Sequence, residues 1–367
     1  MSADLQGLAE LVVCWQAEHG RQHLPWQQTR DPYRVWLSEI MLQQTQVATV
    51  LGYYQRFLDR FPDVASLADA ALDEVLALWS GLGYYSRARN LHRCAQQVQQ
   101  QYGGAFPRSV AELSALPGIG RSTAGAIAAF CFAERVPILD ANVKRALTRV
   151  LGFAQDLARA ANERQLWQQA EQLLPNSDLT DSMPRYTQGL MDLGAMVCLP
   201  RKPVCSQCPL AVQCVARSQG QPELYPVRTR KLRRSAQAWW LLLQADAKGR
   251  VWLQRRPGAG IWASLYAPPV FDDRAALLSA AGMPQDAPQL QELPAFTHVL
   301  THRDLHLHPI LLQGVRSPTL QVAEGEPGGW FDAQQWRDLG LPAPIRLLLD
   351  GLPNMAVAGQ VPRAAAG

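Results

Sequence analysis

Four cysteines constrain this chain more than any other feature. Cys198, Cys205, Cys208 and Cys214 fall within seventeen residues, separated by six, two and five positions. Thiols this crowded must face a common centre, so the segment and the helices that lead into it have to fold around that centre. Of the seven cysteines, the other three (Cys14, Cys94 and Cys131) are scattered through apolar helical patterns and read as inert core residues. This distribution argues against a disulfide framework and for a metal site in a reducing compartment. Four thiolates suit a tetrahedral zinc ion or a [4Fe–4S] cluster. Structural zinc sites usually pair two close-spaced couples. Here only the middle couple is close and the outer ligands stand wide, which favours the iron–sulfur cluster. Arg201 and Lys202 sit in the first inter-ligand loop, where they would offer cations to a phosphate backbone.

The 367 residues, 48% of them hydrophobic and 18% charged, are enough for two domains with a sizeable core. No apolar run reaches eighteen residues, and the amino terminus lacks the charged-then-apolar order of a signal peptide. A cytoplasmic chain is expected. The net charge of +4 is weak evidence for a nucleic-acid partner. Basic residues do cluster, at Arg87, Arg89 and Arg93, at Lys144, Arg145 and Arg149, and from Arg228 through Arg230, Lys231, Arg233 and Arg234. Charge runs are usually solvated faces, so each cluster alone is ambiguous. Periodicity predicts an all-α region up to about residue 215, with helices over 33–42, up to about 61, 66–80, 86–102, 124–132, 141–152, 161–174 and 184–197. A basic, proline-containing linker over 218–234 follows. The pattern then changes to strands at Ala238–Ala245, Arg250–Arg256, Leu265–Val270 and Ala295–Leu312, with short helices at 273–281, 332–338 and 343–351. That is a separate α+β domain over about 235–355. Residues 356–367 read as a disordered tail.

Inside the helical region, Ser109 and Glu112 form a capping box. The tight turn Leu116-Pro117-Gly118-Ile119-Gly120 leads into a second helix. Gly118 and Gly120 have no Cβ, so backbone can turn sharply there and approach another molecule, and the amides at the next helix start suit a phosphate. The same turn is also compatible with an ordinary helix–helix connection. Asp140 reads locally as an N-cap. Glu39 lies on a largely apolar helix face beside Val35, Trp36 and Leu42, where an unpaired carboxylate is costly and its pKa should rise; pairing with Arg34 or escape to the surface is the alternative. Gly81-Leu82-Gly83-Tyr84-Tyr85 is a glycine-rich turn offering a tyrosine that stacks on bases or packs a helix corner.

Taken together and in order, LPW, SEIMLQQTQV, GLGYYSRARN, LPGIGRSTAGAI, PILDANVKR, MDLGA and the cysteine array resemble the MutY adenine DNA glycosylases of the helix-hairpin-helix (endonuclease III) superfamily. The resemblance implies a mostly α amino-terminal part over 1–217, made of a six-helix barrel (about 28–137) and a helical iron–sulfur domain (about 1–27 plus 138–217), and a Nudix-like α+β domain after the linker. It implies a [4Fe–4S] cluster on the four cysteines. The implied partner is double-stranded DNA carrying adenine opposite 8-oxoguanine or guanine, bound by a monomer in the nucleoid. Glu39 matches the general acid that protonates adenine, Asp140 the carboxylate that stabilises the sugar cation, and Asn142 a residue that orients the pair. Leu42, Gln44 and Tyr84 match positions in or beside the base stack around the lesion, Gly118 and Gly120 the hairpin, and Gln188 a residue on the adenine side.

Departures from the family pattern carry their own expectations. Ser122 stands where endonuclease III-type enzymes carry the lysine nucleophile of the lyase reaction, so a monofunctional glycosylase is expected. A bifunctional oxidised-pyrimidine glycosylase is the alternative on this fold. Ala141 replaces a common glycine. The family's Phe-Ser-His lesion-reading loop corresponds here to Leu300-Thr301-His302, in which Thr301 keeps the hydroxyl. Residues 273–282, DRAALLSAAG, lack the glutamates of an active Nudix helix, so no pyrophosphatase activity is expected. His298, His302, His306 and His308 would share one face, as a zinc site requires, only if strand register runs unbroken.

Overall fold

The computed structural model describes residues 7–229, 234–284, 287–315 and 328–352. The tail expected at 356–367 lies outside these, as do Arg230, Lys231 and Arg233. The chain forms two compact units. One takes in Met1–Asp69 and Asn90–Lys231, the other Ala70–Arg89 and Leu232–Gly367.

Up to the linker the chain is helical, running through α1 (Leu8–His19), α2 (Pro32–Leu42), α3 (Val47–Arg60), α4 (Val64–Asp69), α5 (Leu72–Trp79), α6 (Ser86–Tyr102), α7 (Val110–Ala115), α8 (Arg121–Phe132), α9 (Ala141–Leu151), α10 (Ala160–Gln172) and α11 (Leu179–Asp192). Local chemistry explains several starts. Asp31 caps α2 by accepting from the Tyr33 amide at 2.9 Å, with Pro32 preset for the first turn. Ser109 does the same for α7, accepting from Glu112 N at 3.2 Å. α8 buries Ala124, Ala126, Ala128 and Ala129 around Ile127, and these small side chains let neighbouring backbone come close. A Cβ on Gly125 would lie 2.7 Å from the Pro137 carbonyl oxygen. α1 packs on α11, where a Cβ on Gly189 would meet Val12 at 2.7 Å. The core beneath them gathers Val12, Leu139, Val143, Leu147, Leu166 and Tyr186.

α11 differs from the expectation. It begins at Leu179, five residues before the predicted start, and holds Pro184 inside it. Proline cannot donate to the carbonyl of Thr180 one turn back, which normally ends or bends a helix. Arg30 fills that vacancy: its Nη2 donates to the Thr180 oxygen at 3.1 Å while Nη1 donates to Phe130 O at 2.9 Å. After Asp192 the chain continues as a π-helical turn, Leu193–Val197, delivering Cys198.

The second unit is built on a mixed sheet of β1 (Ser235–Ala245), β2 (Val251–Arg255), β3 (Tyr266–Ala267), β4 (Val270–Phe271), β5 (Leu290–Glu292), β6 (Phe296–Val299), β7 (Arg303–Gln313) and β8 (Gly328–Phe331). Its spine is β1 parallel to β7, from Ser235 beside Arg303 to Ala245 beside Gln313. The order is β3-β2-β1-β7-β5, with β4 on β1, β6 on β7 and β8 on β2. The strand predicted over 265–270 is two short ones because Pro268 and Pro269 intervene, and that predicted over 295–312 is broken at 300–302. Helix α12 (Arg274–Ala281) covers one face, packing Leu277, Leu278 and Ala281 on Leu242, Ile310 and Leu312. The break in register separates the histidines. His306 sits opposite Thr297 and His298 opposite Leu305, so His298 lies on the other face from His306 and His308.

The segment 70–89 belongs to this unit through specific bonds. Tyr85 Oη donates to Leu341 O at 2.6 Å, Arg89 Nη1 to Ala263 O at 2.8 Å, and Arg255 pairs with Asp73 at 3.0 Å. Leu76 packs where a Cβ on Gly340 would intrude, at 2.7 Å.

Candidate active site

Glu39 lies in the last turns of α2, whose other face is buried through Val35, Trp36, Leu37 and Ile40. It opens onto a cavity of about 400 Å³ whose wall includes Trp26, Ser38, Phe130 and Gln188. That volume is within the range of small-ligand sites. Among the described residues no hydrogen-bond donor reaches the Glu39 carboxyl. Burial, and secondarily the charge of Asp140, push it up to about 8. At neutral pH Glu39 therefore holds its proton. Leu42 closes the same helix half-buried, and Gln44 follows exposed with φ of +57°.

Asp140 occupies a different environment. It is the N-cap of α9, and its Oδ1 accepts from the Val143 amide at 2.6 Å. Burial raises its pKa, while the amides of Val143 and Asn142 and the cations of Arg145 and Lys144 oppose that rise. Among the described residues no such amides or cations act on Glu39, and of the two interacting carboxyls it is the one burial leaves unopposed. Asp140 is thus the cap of α9 and lies within electrostatic range of Glu39.

Two residues hold this loop. Ser122, in the first turn of α8, accepts from the Leu139 amide at 3.0 Å and so fixes the approach to Asp140. Asn142 Oδ1 accepts from Arg145 Nη2 at 2.9 Å, and the same guanidinium donates to Gly194 O at 2.6 Å and Cys198 O at 2.7 Å. A Cβ on Gly194 would lie 2.5 Å from Asn142 Cβ. In the hairpin, Gly118 takes φ of +77°, and a Cβ there would meet Asn90 Cβ at 2.8 Å. Gly120 is extended and a Cβ there would meet nothing. Gly118 is thus required by the turn itself, whereas Gly120 leaves open space in front of the α8 amides.

Cys198, Cys205, Cys208 and Cys214 wall one small cavity with Arg149, Leu193, Val197 and Leu210. Arg149 is a fully buried arginine. Its Nη1 lies 3.3 Å from Cys198 Sγ and donates to Leu199 O at 2.7 Å, and its Nη2 donates to Pro200 O at 3.1 Å. Burial pushes the Cys208 thiol up to about 12, and its neighbours Cys198, Cys214 and Cys205 push the same way. Four convergent thiols in an apolar pocket fit the donor set of an iron–sulfur cluster. Among the described residues no three His, Cys, Asp or Glu side chains form a group tight enough for one metal ion.

In the second unit, Tyr84 is 45% exposed with φ of +49°. Its hydroxyl lies 3.0 Å from Thr301 Oγ1, so two residues singled out separately in the sequence meet. Arg87 sits over the Tyr84 ring at 5.4 Å and donates to Leu82 O and Gly83 O, holding the turn. His302, next to Thr301, is exposed.

Sequence reasoning missed Asp192 and Arg21. Asp192 is fully buried and receives the Arg21 backbone amide at 2.9 Å, its Nε at 2.7 Å and the Gln188 amide nitrogen at 2.8 Å. The only local signal was an acidic residue in MDLGA within an otherwise apolar run.

Residues 37–172 match the family described as HhH-GPD superfamily base excision DNA repair protein, and residues 238–351 match the NUDIX domain. Adenine DNA glycosylase of Buchnera aphidicola subsp. Acyrthosiphon pisum (strain APS) is 36% identical over 346 residues, covering 93% of this chain and 96% of that protein. Adenine DNA glycosylase of Homo sapiens is 41% identical over 230 residues, covering 60% of this chain and 41% of its own length. The solved structure of a thermostable thymine-DNA glycosylase aligns with a TM-score of 0.52 at 27% identity, covering 59% of this chain and 97% of that one.

Proposed function

The chain belongs to the adenine DNA glycosylases, hydrolases of the helix-hairpin-helix base excision superfamily that carry a Nudix-like domain, and we propose that it removes adenine mispaired with 8-oxoguanine or guanine from duplex DNA. It does so as a monomer acting at the nucleoid. The observation that carries this reading is the pair of unlike carboxyls: Glu39, protonated at the wall of a cavity, within electrostatic range of the amide-held Asp140.

The reaction follows from that pair. Adenine must leave the stack before its glycosidic bond can be reached. As an anion it is a poor leaving group. Glu39 delivers its proton to N7, and the electrons of the bond between C1′ and N9 pass to the base as it departs. The positive charge left on the sugar is matched by Asp140, as a neighbouring charge or as a transient ester. Water then adds its hydroxide to C1′ and its remaining proton returns to the Glu39 carboxylate. One carboxyl held neutral and one held charged is the division of labour of glycoside cleavage. Asn142 and Arg145 keep Asp140 on its helix, and Ser122 keeps the strand before it. Ser122 supplies no amine for a Schiff base, so the abasic strand stays intact.

Gly118 makes the turn, and Gly120 leaves room for a phosphate against the α8 amides. Leu42, Gln44 and Tyr84 enter the base stack, and Thr301 and His302 read the lesion opposite. Cys198, Cys205, Cys208 and Cys214 are the residues that would hold a [4Fe–4S] cluster, whose contribution is to fix the fold of that segment.

The test is a single-turnover assay on duplexes with adenine opposite 8-oxoguanine, guanine or thymine, read with and without alkali. Adenine release opposite the first two, with strand breaks only after alkali, is expected. Alkali-independent nicking, or release of oxidised pyrimidines instead, would overturn the proposal.

A further inference from the structure

Lys144 carries a charge that the chemistry proposed above leaves without a task, and it is already partnered. It stands in the first turn of α9, where its charge acts on Asp140 against the rise that burial imposes. Its Nζ donates to Oε1 of Glu163, in the first turn of α10. Among the described residues no other carboxylate lies within ion-pair reach of Lys144. The pair is not sealed in the core: 21% of the Lys144 side chain and 37% of the Glu163 side chain are exposed. An ion pair this open is weak and gives way when a competing anion arrives.

α10 holds a second cation by other means. One turn beyond Glu163, on the same face, the Trp167 ring lies under Arg121, whose guanidinium carbon is 4.0 Å from the ring centroid. Arg121 opens α8, next to Gly120. An aromatic ring fixes a cation and leaves its charge to act outward. A carboxylate fixes a cation and cancels it. Of the two cations fastened to α10, one therefore keeps its charge available and the other does not. In a DNA strand the sugar that Asp140 serves is joined to a phosphate on each side. A phosphate thus enters the neighbourhood of Lys144 with the substrate, and Glu163 holds its place until then.

We infer that Glu163 is an internal stand-in for a backbone phosphate beside the reacting sugar: it neutralises Lys144 in the free protein, gives it up to DNA, and so acts as a brake on duplex affinity. This rests on the reading of Asp140 as the carboxyl that serves the sugar. When a phosphate displaces Glu163, the freed carboxylate is left beside DNA and takes up a counter-cation. That uptake cancels part of the ion release that a lysine–phosphate contact normally brings. Glu163 is a positioning residue, acting only through Lys144. An ion pair that served only to fasten α10 to α9 would stabilise the fold and leave DNA affinity and its salt dependence unmoved.

The experiment measures binding of the full-length protein to a duplex holding a tetrahydrofuran residue, an uncleavable sugar with both its phosphates, opposite 8-oxoguanine. It is run over a series of salt concentrations for wild type, Glu163→Gln, Glu163→Ala, Lys144→Met and the Lys144→Met/Glu163→Gln double variant, with thermal melting of each. Removing the carboxylate is expected to tighten binding at low salt about threefold or more, and to steepen log affinity against log salt by up to about one. Gln and Ala should do this alike, even where the melting temperature falls. Lys144→Met should weaken binding, and in that background Glu163→Gln should change affinity by less than about twofold. Unchanged or weaker binding in both Glu163 variants would overturn the brake. A gain of the same size without Lys144 would overturn its action through that lysine. Adenine release by wild type tests the underlying reading separately: a protein that binds this duplex and releases no adenine fails the proposed function, whatever the salt series shows.

Discussion

The end of α2 and the start of α9 each present one carboxyl to the same chemistry, and they do so by opposite means. Glu39 stands on the helix with no donor among the described residues, so burial, with the charge of Asp140 second, decides its state and it keeps its proton. Asp140 stands at a helix start, where the Val143 and Asn142 amides and the cations of Lys144 and Arg145 pull against burial. The lesson is that position on a helix assigns acid and base roles before any substrate arrives. A mid-helix carboxyl has no free backbone donors, whereas a helix start has up to four.

The sharpest way to break this comparison is to remove the two groups in turn. Glu39→Gln is expected to cut base removal by about a hundred- to ten-thousand-fold while DNA binding persists, as single-turnover rates beside binding isotherms would show. Asp140→Asn should cost about a hundred- to a thousandfold in rate. Because Asn is also a good cap, its melting temperature should stay near wild type, which separates the catalytic from the capping role. A melting point lowered in step with the rate would mean that Asp140 acts mainly as a cap.

pH sharpens the comparison next. Activity needs protonated Glu39, so the rate should fall about tenfold per unit above a midpoint near pH 8. Stability carries the same signature. Glu39 binds its proton more tightly folded than unfolded, so stability falls as pH rises from the ordinary carboxylate range toward about 8 and is lowest above it. Melting of Glu39→Gln against wild type should therefore show a gain that grows over this window and is absent below it. The smallest effect is expected at Ser122→Ala, which removes the acceptor of the Leu139 amide; a loss of about 1 kcal/mol in stability and a severalfold slower rate are expected, without new strand cleavage.

Much of this was legible in the sequence where the physics is local. The Asp31, Ser109 and Asp140 caps and the bounds of α6 all depend on neighbours a few residues away. What was not legible depends on distant partners. Pro184 marked a helix start only because nothing nearby announces that Arg30 will take the Thr180 carbonyl. Asp192 read as one more polar residue because its partner, Arg21, is 171 positions away. The meeting of Tyr84 with Thr301 was hidden for the same reason.

The membership of Ala70–Arg89 in the carboxy-terminal unit bears on how such a gene can be divided. The basic linker invites a cut, and a fragment ending there still carries α5. It has lost Leu341, to which Ser80 and Tyr85 donate, the Ala263 carbonyl that takes Arg89, and the turn at Gly340 against Leu76. The severed carboxy-terminal half lacks the reciprocal surface. Each piece therefore loses contacts that the other supplies. Recombination that exchanges the last domain between relatives therefore has to bring along a matching 70–89, and the two stretches should drift through evolution as one inheritance despite the length of chain between them.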